Sequence, residues 1–188
     1  MNRSAPASTG IDPGEVIDFW FAAGPEKWFG KAPDFDAEIA ARFGEAAERA
    51  AAGAFDHWTR TRDGTLALIL ILDQFRRNIL RGTPGAFAAD AKALAIARAA
   101  VARGLDRELP RDQRKWIYLP FEHAEDLEVQ RQSVALFEAN ATAEDLEWAL
   151  DHLDIIARFG RFPHRNAILG RTSTPDEEEF LANGGFAG

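Results

Sequence analysis

The sequence predicts an all-α domain, and three observations carry that reading. Apolar residues recur at helical spacing from Asp12 to Asn183. Capping residues, prolines and glycines stand where those apolar patterns start and stop. The one run that could form a strand, Leu66 to Leu72, has no second run to pair with and continues without a turn signal into Asp73–Leu80.

The elements follow in order. The first ten residues are polar and turn-rich, so residues 1–11 are expected to be a disordered tip, with a single helical domain over 12–188. Asp12-Pro13 with Glu15 reads as a helix start, and Val16, Phe19 and Trp20 share a face. Gly24-Pro25 ends that helix. A second helix is expected from about Asp34 to Ala52, with Phe35, Ile39 and Phe43 four apart and Gly53 at its end. The third, Thr65 to Ile79, is apolar all round in its first half, as in a helix buried at a domain centre.

Gly82-Thr83-Pro84-Gly85 is a turn. Next comes an Ala-rich helix from about Phe87 to Arg103, closed by Gly104. A helix from Pro110 should break or kink at Pro120 and resume from Glu122 to Ala139. Thr142 with Asp145 caps a helix reaching Phe159, and Thr174 to Glu177 opens a last short one closed by Asn183-Gly184. Seven or eight helices on short connections imply antiparallel neighbours.

Composition removes several classes of function. With no cysteine there is no disulfide, thiolate metal site or Cys nucleophile. The formal charge of -8 argues against nonspecific binding to nucleic acid or a membrane surface. The longest aliphatic run, Leu66 to Leu72, is far below the roughly 20 residues of a bilayer span. No secretory signal opens the chain, so the expected location is cytoplasmic.

Three polar clusters interrupt apolar surroundings. Arg158 to Arg171 holds four arginines and His164 with no acid, inside an acidic protein. Like charges on so short a segment need carboxylates from elsewhere or an anionic ligand. Asp154 is spaced to pair with Arg158. Asp73 to Asn78 places an acid directly after the aliphatic run, with Arg77 at i+4 able to pair with it. Pro120 to Asp126 puts Glu122, Glu125 and Asp126 in what should be a helix's first turn, where negative charge is favoured, and leaves His123 without a local explanation. His57 and His152 read as surface or capping residues. Trp28, Trp58, Trp116 and Trp148 read as core or rim packing. Unlike charges in apolar frames should pair, so Asp73, Glu122 or Asp126 is expected near Arg161 or Arg165.

DFWF (18–21), LDQFRRNILRG (72–82), YLPFEHAED (118–126) and DIIARFGRFPHRNAILGRTST (154–174) together resemble the bacterial family named domain of unknown function 924. The resemblance runs from about Val16 to Phe180. It implies a tetratricopeptide-repeat-like array of antiparallel helix pairs, and it supplies motif positions rather than an activity. The family usually has Pro in DQF-Pro-RN, where Arg76 stands here, which removes a kink and adds a cation.

Two functional classes survive. In the first, an Arg/His-rich pocket of Asp73, Arg77, Asn78, Arg158, Arg161, Arg165 and Asn166 binds a small anionic ligand or acidic peptide, because Arg offers bidentate geometry to carboxylate and phosphate. In the second, His164 or His123 acts as acid or base beside Glu122 on an anionic substrate. No cofactor motif is present. A metal site is disfavoured because no His pair has i, i+4 spacing and Glu122 and His123 point about 100° apart on a helix. Nucleic acid is disfavoured by the overall acidity.

Overall fold

The computed structural model describes residues 10–28, 30 and 32–186. The expected disordered tip falls mostly on residues 1–9, outside the described residues, while Ile11 packs against the core. Among the described residues all regular structure is helical.

Helix α1 (Pro13–Ala23) starts where Asp12 accepts the Glu15 N–H at 3.1 Å and stops at Gly24, whose φ of 78° lies in the left-handed region. After the short α2 (Pro25–Trp28), α3 (Pro33–Ala51) buries Phe35, Ile39, Phe43, Ala46, Ala47 and Ala50 along one stripe. Helix α4 (Arg62–Ile69) is capped by Thr61 and runs into a π-helical stretch, Leu70–Phe75, then α5 (Arg76–Ile79). Leu66 to Leu72 are fully buried, as an all-round apolar helix demands.

Helix α6 (Asp90–Arg103) presents Ala93, Ala97 and Ala100 to the core, and α7 (Leu105–Glu108) follows Gly104. Helices α8 (Arg111–Glu122), α9 (Leu127–Asn140) and α10 (Ala143–Phe159) pack successively side by side. Capping boxes open α10, at Thr142 with Asp145, and α11 (Pro175–Ala182), at Thr174 with Glu177.

The central rod of α4 and the π segment is surrounded by α1, α3, α6 and α8. Trp20, Trp28, Phe75 and Trp116 interlock on one side of it, with Trp20 and Trp116 meeting edge to face at 5.1 Å between ring centres. A smaller cluster of Ile155, Ile156 and Phe162, joined by Phe180 and Phe186, covers the far end. The result is one all-α domain in which many neighbours in space are distant in sequence.

Several boundaries shift by a few residues from the sequence reading, and the one that matters for the site is at Pro120. Pro120 lies inside α8, which continues to Glu122; the break comes at 123–126. Proline removes one backbone donor, yet the helix continues past it and closes with the His123 N–H on the Leu119 carbonyl at 2.9 Å and the Ala124 N–H on the Phe121 carbonyl at 3.2 Å. Glu122 therefore stands at a helix C-terminus, where the backbone dipole disfavours its charge, and not in a first turn. Asp126 does cap α9, accepting the Val129 N–H at 3.0 Å.

Candidate functional site

The π segment positions the first residue of the site. Its wider turn closes with the Arg76 N–H on the Ile71 carbonyl, five residues back. A proline at 76 would lack that donor. The Arg76 side chain leaves the site and reaches Glu48 at 2.9 Å and the Gly85 carbonyl at 3.1 Å. Asp73, in the middle of the π turn, is completely buried.

A buried carboxylate needs partners, and Asp73 has three. His123 Nδ1 lies 2.8 Å from Oδ1, Arg77 Nη2 donates to the same oxygen at 3.2 Å, and Gln74 donates to Oδ2. Burial opposes ionisation, but His123, Arg77 and Gln74 outweigh it and hold the Asp73 carboxyl far below the usual range. An ionised Asp73 accepts only, so His123 carries its proton on Nδ1 and keeps the Nε2 lone pair free. Burial also pushes the His123 pKa down despite Asp73, so the ring is neutral at neutral pH.

Arg77 links this pair to Asp90, donating to both of its oxygens at 3.1 Å. Asp90 in turn faces Arg165, with 3.5 Å between Nη1 and Oδ2. Burial raises the Asp90 pKa, against the pull of Arg77. Arg165 is only 6% exposed, its guanidinium lies over Phe87 and Phe162 at 4.7 and 4.5 Å, and its Nε has no partner. Burial, then the charge of Arg77, pushes its pKa down to about 10.

Histidines and one acid complete the wall. His152 donates through Nδ1 to the Trp148 carbonyl at 2.8 Å and sits 3.6 Å from Glu122 Oε1. Burial holds His152 at about 4. Burial and the adjacent Arg165 hold His164 at about 3, and His164 Nδ1 is buried without a partner. Glu122 moves the other way: burial, then the charge of Asp73, pushes it up to about 8, so it keeps its proton at neutral pH. Its Oε2 is also unpartnered. Phe186 packs on both His152 and His164, at 4.7 and 5.1 Å between ring centres.

Three segments far apart in sequence thus meet in one polar cluster, through Asp73 and Arg77, Glu122 and His123, and His164 and Arg165. Arg165 meets Asp90 where Asp73, Glu122 or Asp126 was expected. Arg161 is engaged elsewhere, holding Glu177 bidentately at 2.6 and 2.8 Å. Asn166 joins that pair, donating to Ser173 and Glu177. Arg171 clamps Glu125 at 2.6 and 2.9 Å. Arg158 stacks on Phe159 and Phe180 and does not pair with Asp154. Asn78 points away to Asp36 at 2.7 Å. Carboxylates from elsewhere therefore neutralise Arg161 and Arg171 fully, while Arg165 shares one long contact.

Two members were not singled out in the sequence. Asp90 opens α6, where an acid already has a local explanation in the helix dipole. His152 was read as a surface or capping residue and is 5% exposed. Its signal was its place on the apolar stripe of Ala149, Ile155 and Ile156. Trp148, read as packing, is 49% exposed.

Among the described residues no group of three His, Asp or Glu side chains is placed to hold a metal ion. No helix among them is long and apolar enough to cross a membrane. An open depression of about 710 Å³ between α1 and α3 is lined by residues outside the cluster and holds the Arg42–Glu15 pair at 3.2 Å.

No curated protein matches the chain. A solved structure of a protein of unknown function from Agrobacterium tumefaciens is similar to it, with 43% identity and a TM-score of 0.88, over 92% of this chain and 97% of that one. The model of a family described as bacterial protein of unknown function, DUF924, matches residues 16–185. That span takes in every residue of the cluster except Phe186, and the chain belongs to the DUF924 family.

Proposed function

We propose that this protein binds a small anionic ligand at Arg165, inside the cluster of Asp73, Arg77, Asp90, His123 and His164. The helix pairs are read as a tetratricopeptide-like scaffold that carries this site, in a cytoplasmic protein. One observation carries the reading. A guanidinium that is 6% exposed makes a single ionic contact at 3.5 Å and leaves Nε unpartnered. Buried arginine normally has its donors filled, because an unpaired buried cation is costly. Burial, then the charge of Arg77, lowers its pKa as well. The apolar walls, Phe87 and Phe162, exclude water and strengthen whatever charge is bound. The burial of Arg165 favours a small ligand over an acidic peptide.

A second reading, acid–base catalysis on such an anion, is supported by the Asp73–His123 contact at 2.8 Å and the protonated Glu122. A carboxylate that holds a histidine in one tautomer prepares Nε2 as a base, and a carboxylic acid with a pKa of about 8 is a proton donor at neutral pH.

Thermal denaturation with inorganic phosphate, acetate and malate tests the binding reading. A ligand that binds only the folded state raises its melting temperature as concentration rises. The wild type should shift with at least one of these anions and Arg165→Met should not. Equal shifts in both proteins would place the anion elsewhere. Activity or binding that survives His164→Ala but is lost in Arg165→Met favours binding over chemistry at His164.

A further inference from the structure

We propose that the anion taken by this site carries its own O–H group beside its negative oxygens, as hydrogen phosphate and the monoanion of a phosphomonoester do. The inference rests on the anion-binding reading and narrows its ligand. The argument comes from Asp90. Any oxyanion that reaches the Arg165 guanidinium also meets the Asp90 carboxylate, whose Oδ2 lies 3.5 Å from Arg165 Nη1. A bare oxygen placed there faces a like charge, whereas an oxygen carrying hydrogen donates to it.

Three further observations agree. First, the cluster is already balanced, with Asp73 and Asp90 against Arg77 and Arg165. Any anion adds negative charge to it, and an O–H that donates to Asp90 offsets part of that cost. Second, the free hydrogen-bonding groups are of both kinds. Arg165 offers donors held by a single ionic contact at 3.5 Å, while His123 Nε2 is left as an acceptor once Nδ1 is committed to Asp73. A ligand that fills both kinds must itself accept and donate. Third, Asp90, Arg77 and His123 are the more open members, with side chains 21%, 20% and 16% exposed, against 7% for Arg165. A ligand approaching from solvent therefore meets Asp90, Arg77 and His123 before the deeper Arg165. Asp90 retains lone pairs for it, since Arg77 uses one on each oxygen.

Phosphate and sulfate separate the possibilities, because the two tetrahedral oxyanions differ at neutral pH in that phosphate keeps an O–H and sulfate does not. Calorimetric titration of the full chain at constant ionic strength should show phosphate bound at least about tenfold more tightly than sulfate, the ratio expected when one buried hydrogen bond is exchanged for a repulsion. Asp90→Asn keeps the shape, removes the repulsion and adds a donor. It should bind sulfate more tightly and narrow the ratio to near one. Arg165→Met should bind neither anion. Equal affinity of the wild type for phosphate and sulfate, with both lost in Arg165→Met, overturns the inference and leaves the anion site standing. Wild type that binds neither overturns the anion reading itself. An unchanged phosphate preference in a folded Asp90→Asn protein, checked by its helical circular dichroism, also overturns the role of Asp90.

Discussion

Replacing Glu122 with Gln should stabilise this protein, and by an amount that depends on pH. Glu122 is 4% exposed at the C-terminus of α8, and its carboxyl is pushed from the ordinary 4.5 up to about 8 by burial and by the charge of Asp73. The unfolded chain loses that proton near the ordinary value, while the folded chain keeps it. Between the two values the folded state binds more protons, so stability falls as pH rises through the window. Each pH unit costs about 1.4 kcal/mol, which makes the cost about 3 kcal/mol at neutral pH and about 5 kcal/mol once the folded group also ionises. Gln resembles the protonated acid in shape and has no charge to lose. At pH 4.5 variant and wild type should be nearly equal. At pH 7 the variant should be the more stable by up to about 3 kcal/mol, or about 6–12 °C in melting temperature for a chain of this size. Urea denaturation at both pH values measures the difference. A difference independent of pH would refute the reasoning, since it would show that Glu122 is not protonated in the fold.

Asp73→Asn should cost about 3–5 kcal/mol, because it leaves Arg77 facing an uncharged buried partner. Since the folded pKa of Asp73 lies below its unfolded value, its contribution is present above pH 3.8 and is lost as pH falls further; the acid limb of the unfolding curve should flatten in the variant. Glu177, held at about 2 by Arg161, behaves the same way, so Glu177→Gln should lower the melting temperature at pH 7 and converge with wild type near pH 2. Gly185→Ala would set a Cβ 2.6 Å from the Phe180 ring and carbonyl, moving Phe186 off His164; proton NMR should then show the His164 pKa rising from about 3 toward its ordinary 6.5. An unmoved His164 titration would show that Phe186 does not control its burial.

Local signals located the helices because helix ends obey local chemistry. Asp12, Thr142 and Thr174 each satisfy backbone donors within their own turn, and Gly24, Gly53 and Gly104 adopt positive φ that other residues avoid. The same locality explains the miss at Pro120. The helix runs two residues past Pro120, and that extension was not legible from the proline itself. The Arg158–Arg171 segment announced a shortage of negative charge, and its composition alone justified looking there. Composition could not say which carboxylate answers which arginine.

That choice belongs to tertiary structure. Glu177 and Glu125 reach Arg161 and Arg171 because α11 and the turn before α9 fold beside them, and Arg165 is left with Asp90 from the start of α6. Asp90 had a sufficient explanation as a first-turn acid, so nothing in its neighbours marked it. Protonation is decided in the same way. Glu122, His123, His152 and His164 have ordinary pKa values as sequence, and only burial and the charges packed against them set one carboxyl near 8 and the imidazoles low. The sequence by itself determined the helices, the apolar stripes and the arginine-rich segment, because these follow from neighbours along the chain. The site's donors, acceptors and charges were decided by the packing of α4, α6, α8 and the 163–165 turn, because electrostatics acts across space.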